Sequence, residues 1–262
     1  MSNTELSGRT ALVTGASSGL GVDFARELAA RGADLVLVAR REDRLRAVAD
    51  ALKRDFGVQV SIVAADLSDP ATPEMLHQTV GAQHRIDILV NNAGLGVFGP
   101  ELDIDWARSR QLLQVDIVAL AHLSKLFGRD MRQRGWGRIL QVASIGAFQP
   151  APSYAAYAAA KAFVLHFGEA LNVELRGSGV SCTVVCPGVA ATEFHDVAGQ
   201  KHNGFIRLTI MPPARVAAAG VRAMLRGRSS VVPGWINRLM VFAVRFTPRW
   251  LQARASQLLM RN

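Results

Sequence analysis

The sequence predicts an α/β protein built on one doubly wound parallel sheet, and three observations carry that prediction. Through about residue 187, short apolar runs alternate with amphipathic stretches. The short runs are rich in Val, Ile and Leu and lack polar alternation, as strands covered on both faces require. The first run leads directly into a glycine-rich turn and then a helical pattern.

The strand-like runs cover residues 10–14, 34–39, 58–64, 86–91, 138–143 and 180–187, with helix-like segments near 19–31, 42–56, 73–80, 105–134 and 152–176. Strand–helix alternation at this spacing implies parallel strands joined by right-handed crossovers. In such a Rossmann-type sheet, with helices on both faces, a ligand binds beyond the carboxyl ends of the strands. Residues 212–227, opened by prolines and rich in alanine, read as a further core helix. One domain is expected over residues 1–234, followed by a basic amphipathic extension over 235–262.

Half of the 262 residues are apolar and 19% are charged, which supports a sizeable core and excludes a disordered chain. No internal repeat or low-complexity linker divides the sequence. The first ten residues are polar and run straight into the first strand, so no signal peptide is expected. No apolar run reaches the ~18 residues of a membrane-spanning helix. Cys182 and Cys186 lie four residues apart along a strand, about 13 Å and roughly twice the span of a disulfide. They read as small core side chains in a reducing compartment, so a cytoplasmic location is expected.

The turn after the first strand is Thr14-Gly15-Ala16-Ser17-Ser18-Gly19-Leu20-Gly21. Glycines there permit a tight turn and close approach of backbone N–H groups to a pyrophosphate resting on the helix N-terminus; Ser17 and Ser18 can add hydroxyl donors. The second strand ends in Ala39-Arg40-Arg41. A site for NAD would place an acidic residue near here to hold the ribose 2′-hydroxyl. Two arginines at the start of a helix are locally unfavourable, and an adenosine 2′-phosphate would turn that cost into charge-assisted hydrogen bonds. The expected cofactor is NADP(H).

Tyr157 and Lys161 stand four apart in Tyr157-Ala158-Ala159-Ala160-Lys161, which puts a phenol and an ammonium on one helical face. The chain has two tyrosines and four lysines, so the pair would arise by chance about 3 times in 100. A fixed cation favours the ionised phenol, so the spacing predicts a tyrosine pKa lowered toward the range of an acid/base catalyst. Tyr154 has no lysine at that spacing and reads as a pocket wall or packing residue.

With Asp66-Leu67, Asn91-Asn92-Ala93-Gly94, Ser144, Pro187-Gly188 and Thr192 added to these motifs, the chain resembles the short-chain dehydrogenase/reductase family across residues 6–235. The resemblance implies that Asp66 and Leu67 border the adenine, and that Asn91, Asn92, Ala93 and Gly94 end the fourth strand beside the cofactor ribose. Pro187, Gly188, Val189 and Thr192 would lie along the nicotinamide and its carboxamide. It implies Tyr157 as the proton donor, Lys161 as the ribose ligand that tunes it, and Ser144 as the hydrogen-bond partner of the substrate oxygen. Ser144 can also be read as a simple cap of the loop that follows. One departure stands out: in Gln114-Val115-Asp116-Ile117-Val118 the family usually has asparagine where this chain has Asp116, a carboxylate that accepts a hydrogen bond and favours charged Lys161 but donates no amide proton.

The activity expected is therefore NADP(H)-dependent interconversion of a hydrophobic carbonyl (ketone, aldehyde, 3-oxoacyl or steroid-like) and its alcohol. The apolar side chains of Phe148, Phe194, Phe205 and Ile206 motivate the hydrophobic substrate. A catalytically silent cofactor-binding regulator is disfavoured, because Ser144, Tyr157 and Lys161 are all present. The resemblance implies a homodimer or homotetramer built on the fourth and fifth helices.

The net charge of +9 resides at one end. No acidic residue follows Asp196, while Lys201 and ten arginines do, so residues 197–262 carry +11 and residues 1–196 carry −2. Within that end, residues 235–246 form an apolar run with Arg238 and Arg245 on one face; Pro248 breaks it, and a second amphipathic piece holds Trp250, Arg254 and Leu258. A cationic amphipathic pair of this kind fits a packed lid, an oligomer contact or an anionic lipid interface, the last implying a lipid-metabolising enzyme at the membrane face. Nucleic acid is not expected as a partner, because the segment lacks polar spacing and lysines. His195 and His202 lie in a segment without the cysteines or carboxylates that would complete a metal site, so no metal is expected. His122 and His166 read as packing histidines.

Overall fold

A computed structural model of the protein describes residues 4–188 and 211–260. Its centre is one sheet of seven parallel strands in the order β3-β2-β1-β4-β5-β6-β7. These are β1 (Thr10–Thr14), β2 (Asp34–Ala39), β3 (Val60–Ala64), β4 (Ile86–Asn91), β5 (Gly137–Val142), β6 (Val180–Val185) and β7 (Ser230–Val231). The chain winds outward from β1 to β3, then returns to place β4 on the other side of β1. That reversal opens a crevice at the carboxyl ends of β1 and β4, where ligands bind in doubly wound sheets.

Helices α1 (Leu20–Ala29), α2 (Glu42–Phe56) and α7 (Pro213–Leu225) cover one face. Phe24, Leu28, Leu45, Leu52, Val216 and Val221 pack there against Val13, Leu35 and Leu37. Helices α3 (Thr72–Gln83), α5 (Leu120–Gln133) and α6 (Ala155–Glu174) lie on the other. On that side Leu76, Leu123 and Phe127 pack against Leu12, Val36, Leu89 and Ile139. Consecutive strand residues such as Leu12 and Val13 thus serve opposite cores, which is why the strands read as unbroken apolar runs. Each such side chain contributes about 1.5–3 kcal/mol on burial. The two cysteines are buried free thiols, as expected, and burial pushes both thiol pKa values up to about 12.

Three elements differ from the sequence reading. The single helix expected over 105–134 is α4 (Trp106–Leu113), a π-helical turn over Gln114–Ala119, and α5. The wider turn carries Asp116 inward, and π-turns of this kind concentrate at functional sites. Strand β7 has two residues, too few for any periodicity to announce it. Neither His122 nor His166 is a core residue: His122 lies 3.5 Å from Glu74 at the surface, and His166 is exposed.

The C-terminal segment forms α8 (Trp235–Val244) and α9 (Arg249–Met260), separated at Pro248 as the sequence predicts. Gln252 Nε2 ties the two together by donating to Val244 O at 2.9 Å and Thr247 O at 2.7 Å. Gln149 Nε2 donates to Ser256 Oγ at 3.0 Å, so α9 is fastened to the loop that follows β5. Among the described residues no helix is long and apolar enough to cross a membrane.

Candidate active site

The glycine-rich turn sits at the crevice mouth and is braced from β4. Thr14 Oγ1 accepts from the backbone N–H groups of Asn92 and Ala93, each at 3.0 Å, and donates to Val90 O at 3.3 Å. Asn92 Nδ2 donates to Thr14 O at 2.9 Å and Gly15 O at 3.3 Å. The turn is so tight that a Cβ on Gly21 would stand 2.2 Å from Gly15 O. Gly19 caps α1 with φ 57° and no side-chain hydrogen bond, so no side chain occupies the first backbone donors of the helix. These features fit a dinucleotide pyrophosphate: a cradle that any side chain would fill, at the positive end of a helix.

Arg41, extended at the N-terminus of α2, donates from Nη2 to Ser18 Oγ at 3.1 Å and lies 3.4 Å from Ser17 Oγ. The end of β2 and the glycine-rich turn are thereby joined by a guanidinium, with Arg40 exposed beside it. Glu42 and Asp43 follow in the first turn of α2, where they offset the cations against the helix dipole. No acidic residue occupies the end of β2 itself.

At the far side of the crevice, α6 delivers the phenol and the amine. The helix is alanine-rich, which favours helix formation, and Glu101 supports its start by accepting from Ala156 N–H at 3.3 Å. Lys161 is buried, with Nζ donating to Val142 O at 3.1 Å and lying 2.8 Å from Asp116 Oδ1. Asp116 is fully buried, and its Oδ2 accepts from Leu95 N–H at 2.7 Å. Gly94 closes this cluster: a Cβ there would be 2.9 Å from Asp116 Oδ1 and 3.1 Å from Lys161 Nζ. The Tyr157 ring centroid is 5.7 Å from Lys161 Nζ, and its hydroxyl is hydrogen-bonded with Ser144. Ser144 also accepts from Gly146 N–H at 3.1 Å, so it both caps the loop and meets the phenol.

The electrostatics correct one expectation. Burial raises the Tyr157 pKa; Lys161 and the Ser144 hydrogen bond oppose that shift, Asp116 reinforces it, and the net direction is upward. The sequence reading weighed the lysine charge alone and missed both desolvation and the second charge. Burial by itself would lower the Lys161 pKa, but Asp116, followed by Tyr157 and Cys186, opposes it, and together they turn the net direction upward and favour the ammonium. Burial pushes Asp116 upward against the pull of Lys161.

Other predicted residues divide. The Asn91 side chain turns away from the crevice into a buried network, donating to Ser124 Oγ at 3.0 Å and Gln141 Oε1 at 3.1 Å. Leu67 packs in the core, and Asp66 shapes the turn before α3 by accepting from Ser68 N–H at 2.9 Å. Tyr154 is buried against Phe98 and Tyr157, with ring centroids 5.1 and 5.6 Å apart. Pro187 O accepts from Ile145 N–H at 2.8 Å, and Gly188 faces Asn237 of α8, whose side chain a Cβ would approach to 2.5 Å. Val189, Thr192, Phe194, His195, His202, Phe205 and Ile206 lie outside the described residues. Among the described residues no cluster is arranged to hold a metal ion. Asn237 was not foreseen; a lone polar residue in an apolar run gives no such signal.

The glycine-cradled crevice thus lies beside half-buried Tyr157 and Ser144 and the buried Lys161 and Asp116. The sequence matches the short chain dehydrogenase family over residues 9–203, and the chain belongs to that family. It is an oxidoreductase of the kind that acts on CH–OH groups. A ketoacyl reductase, HetN, from Nostoc sp. is 32% identical over 233 residues, covering 87% of this chain and 79% of that protein. A short-chain dehydrogenase from Sphingobium yanoikuyae, solved with NADPH, superposes with a TM-score of 0.81 at 32% identity, covering 91% of this chain and 93% of the other. A Burkholderia phymatum family member solved with NAD superposes with the same TM-score of 0.81 at 26% identity, covering 92% and 93%.

Proposed function

We propose that this protein is an NADP(H)-dependent reductase or alcohol dehydrogenase acting on a hydrophobic carbonyl or the matching secondary alcohol. The observation that carries the reading is the convergence of Tyr157, Ser144, Lys161 and Asp116 at the carboxyl ends of β4 and β5. The nicotinamide supplies or takes up the hydride. Tyr157 gives its proton to the carbonyl oxygen during reduction and takes it back in the reverse direction. A phenol whose pKa is raised stays protonated at neutral pH, which suits the donor role. Ser144 shares its hydrogen bond with the developing oxyanion. Lys161 places a fixed positive charge beside the phenol, and Asp116 acts as its positioning residue by locking the ammonium in place.

Support for NADP(H) over NAD(H) comes from Arg41 on the Ser17 and Ser18 hydroxyls, with Arg40 adjacent and no carboxylate at the end of β2. A 2′-phosphate there would gain charge-assisted hydrogen bonds. Support for an apolar substrate comes from Phe98, Tyr154 and Tyr157 lining up beside the cluster, with Phe148 packed nearby. Exposed Trp106, Val118 and Phe163 on and around α4 and α6 support a homodimer or homotetramer. The reading is tested by following nicotinamide absorbance across a panel of ketones and alcohols with both cofactors. NADPH-linked turnover that is lost in Tyr157→Phe supports it; full activity in that variant rejects the site.

A further inference from the structure

Among the described residues nothing covers the outer face of α8. Trp235, Leu239, Phe242 and Phe246 are each between 55% and 75% exposed. On a helix Trp235, Leu239 and Phe242 fall within an arc of about 60°, and Phe246, in the turn that follows α8, meets the Phe242 ring at 5.2 Å. The opposite side carries Asn237, buried against Pro233 O and Gly188, so the orientation of the helix is fixed by packing. Helix α9, tied to the end of α8 through Gln252, also exposes Trp250, Leu251 and Leu258.

Around this apolar stripe stand four exposed arginines, Arg238, Arg245, Arg249 and Arg254. Among the described residues none of them pairs with a carboxylate, and Arg254 lies over the Trp250 ring at 5.7 Å. No acidic residue occurs in the sequence after Asp196. A second copy docked on the same face by a two-fold axis would bring two arginine sets together, with no carboxylate on α8 or α9 to neutralise them. A surface that is fluid, apolar and negatively charged complements both halves of the patch at once.

We propose that α8 and α9 dock the protein on an anionic lipid bilayer, with Trp235, Leu239, Phe242, Phe246 and Trp250 entering the interface and the four arginines meeting lipid phosphates. The inference stands apart from the proposed reaction, since it needs neither cofactor nor turnover. It is tested by sedimenting the full-length protein with phosphatidylcholine vesicles, with and without phosphatidylglycerol, at low and high salt. The expected result is pelleting on the anionic vesicles that weakens at high salt. Both Phe242→Ser with Phe246→Ser and Arg245→Ser with Arg249→Ser should weaken it by about tenfold or more. These positions are exposed, and an unchanged unfolding temperature checks that the variants fold. Absence of pelleting, equal pelleting on neutral vesicles, or either double variant pelleting like the wild type overturns the proposal. So does an oligomer broken by the phenylalanine changes in a protein that ignores vesicles, which would assign the face to a second copy.

Discussion

Lys161 Nζ stands 2.8 Å from Asp116 Oδ1, and both side chains are shut away from solvent. Removing one member of such a pair leaves a buried charge without a partner. Asp116→Ala should therefore cost about 3–5 kcal/mol of stability in urea unfolding, and Asp116→Asn distinctly less, because an amide oxygen can still accept from Leu95 N–H.

Asp116→Asn also tests the electrostatics. The carboxylate raises the pKa values of both Lys161 and Tyr157, so its removal lets both groups release protons at lower pH. The alkaline limb of the kcat profile for carbonyl reduction should move to lower pH, a shift that a purely structural role for Asp116 would not produce.

Tyr157→Phe keeps the ring in its place beside Tyr154 and deletes the proton donor. The expected loss in kcat is about 10²–10⁴-fold, with NADPH affinity measured by fluorescence titration changed little.

Arg41→Ala should raise the KM for NADPH about 10- to 100-fold, the size of one or two lost charge-assisted hydrogen bonds, while the KM for NADH stays nearly constant. Equal effects on both cofactors would mean that Arg41 serves the turn through Ser17 and Ser18 and not a 2′-phosphate.

Alkaline stability follows from the buried acids. Cys182 and Cys186 rise from 9.0 to about 12 on folding, and Tyr154, Tyr157 and Lys161 are raised as well. Above pH 9 the unfolded chain releases protons that the folded chain retains, so stability falls as pH rises. The melting temperature should drop steeply between pH 9 and 12. At neutral pH both thiols should ignore an aromatic disulfide reagent until the protein is unfolded.

The sheet was legible because apolar runs such as 86–91 serve two cores at once, and the cradle because Gly15, Gly19 and Gly21 answer to backbone geometry that no other residue satisfies. The Tyr157/Lys161 pair was legible because its spacing is a local helical property. What escaped depended on contacts between distant segments. Asp116 could be placed near Lys161 by resemblance, but its seat against Leu95 N–H joins the widened turn at 114–119 to the segment after β4, a contact that only the assembled fold supplies. The phenol pKa was misjudged for the same reason: burial is a property of the assembled site. Asn91, read as part of the ribose edge, turned out to belong to a polar knot with Ser124 and Gln141.

The Asn237 side chain occupies the space that a Cβ on Gly188 would need, and Ser256 is latched to Gln149. Shortening the chain before Trp235 would leave a hole at the end of β6 and release the loop after Ser144. A truncated protein that loses activity would then report collateral damage and say nothing about what the terminal helices touch. Outward-facing point changes are the cleaner instrument, and any affinity tag is better carried at the amino end.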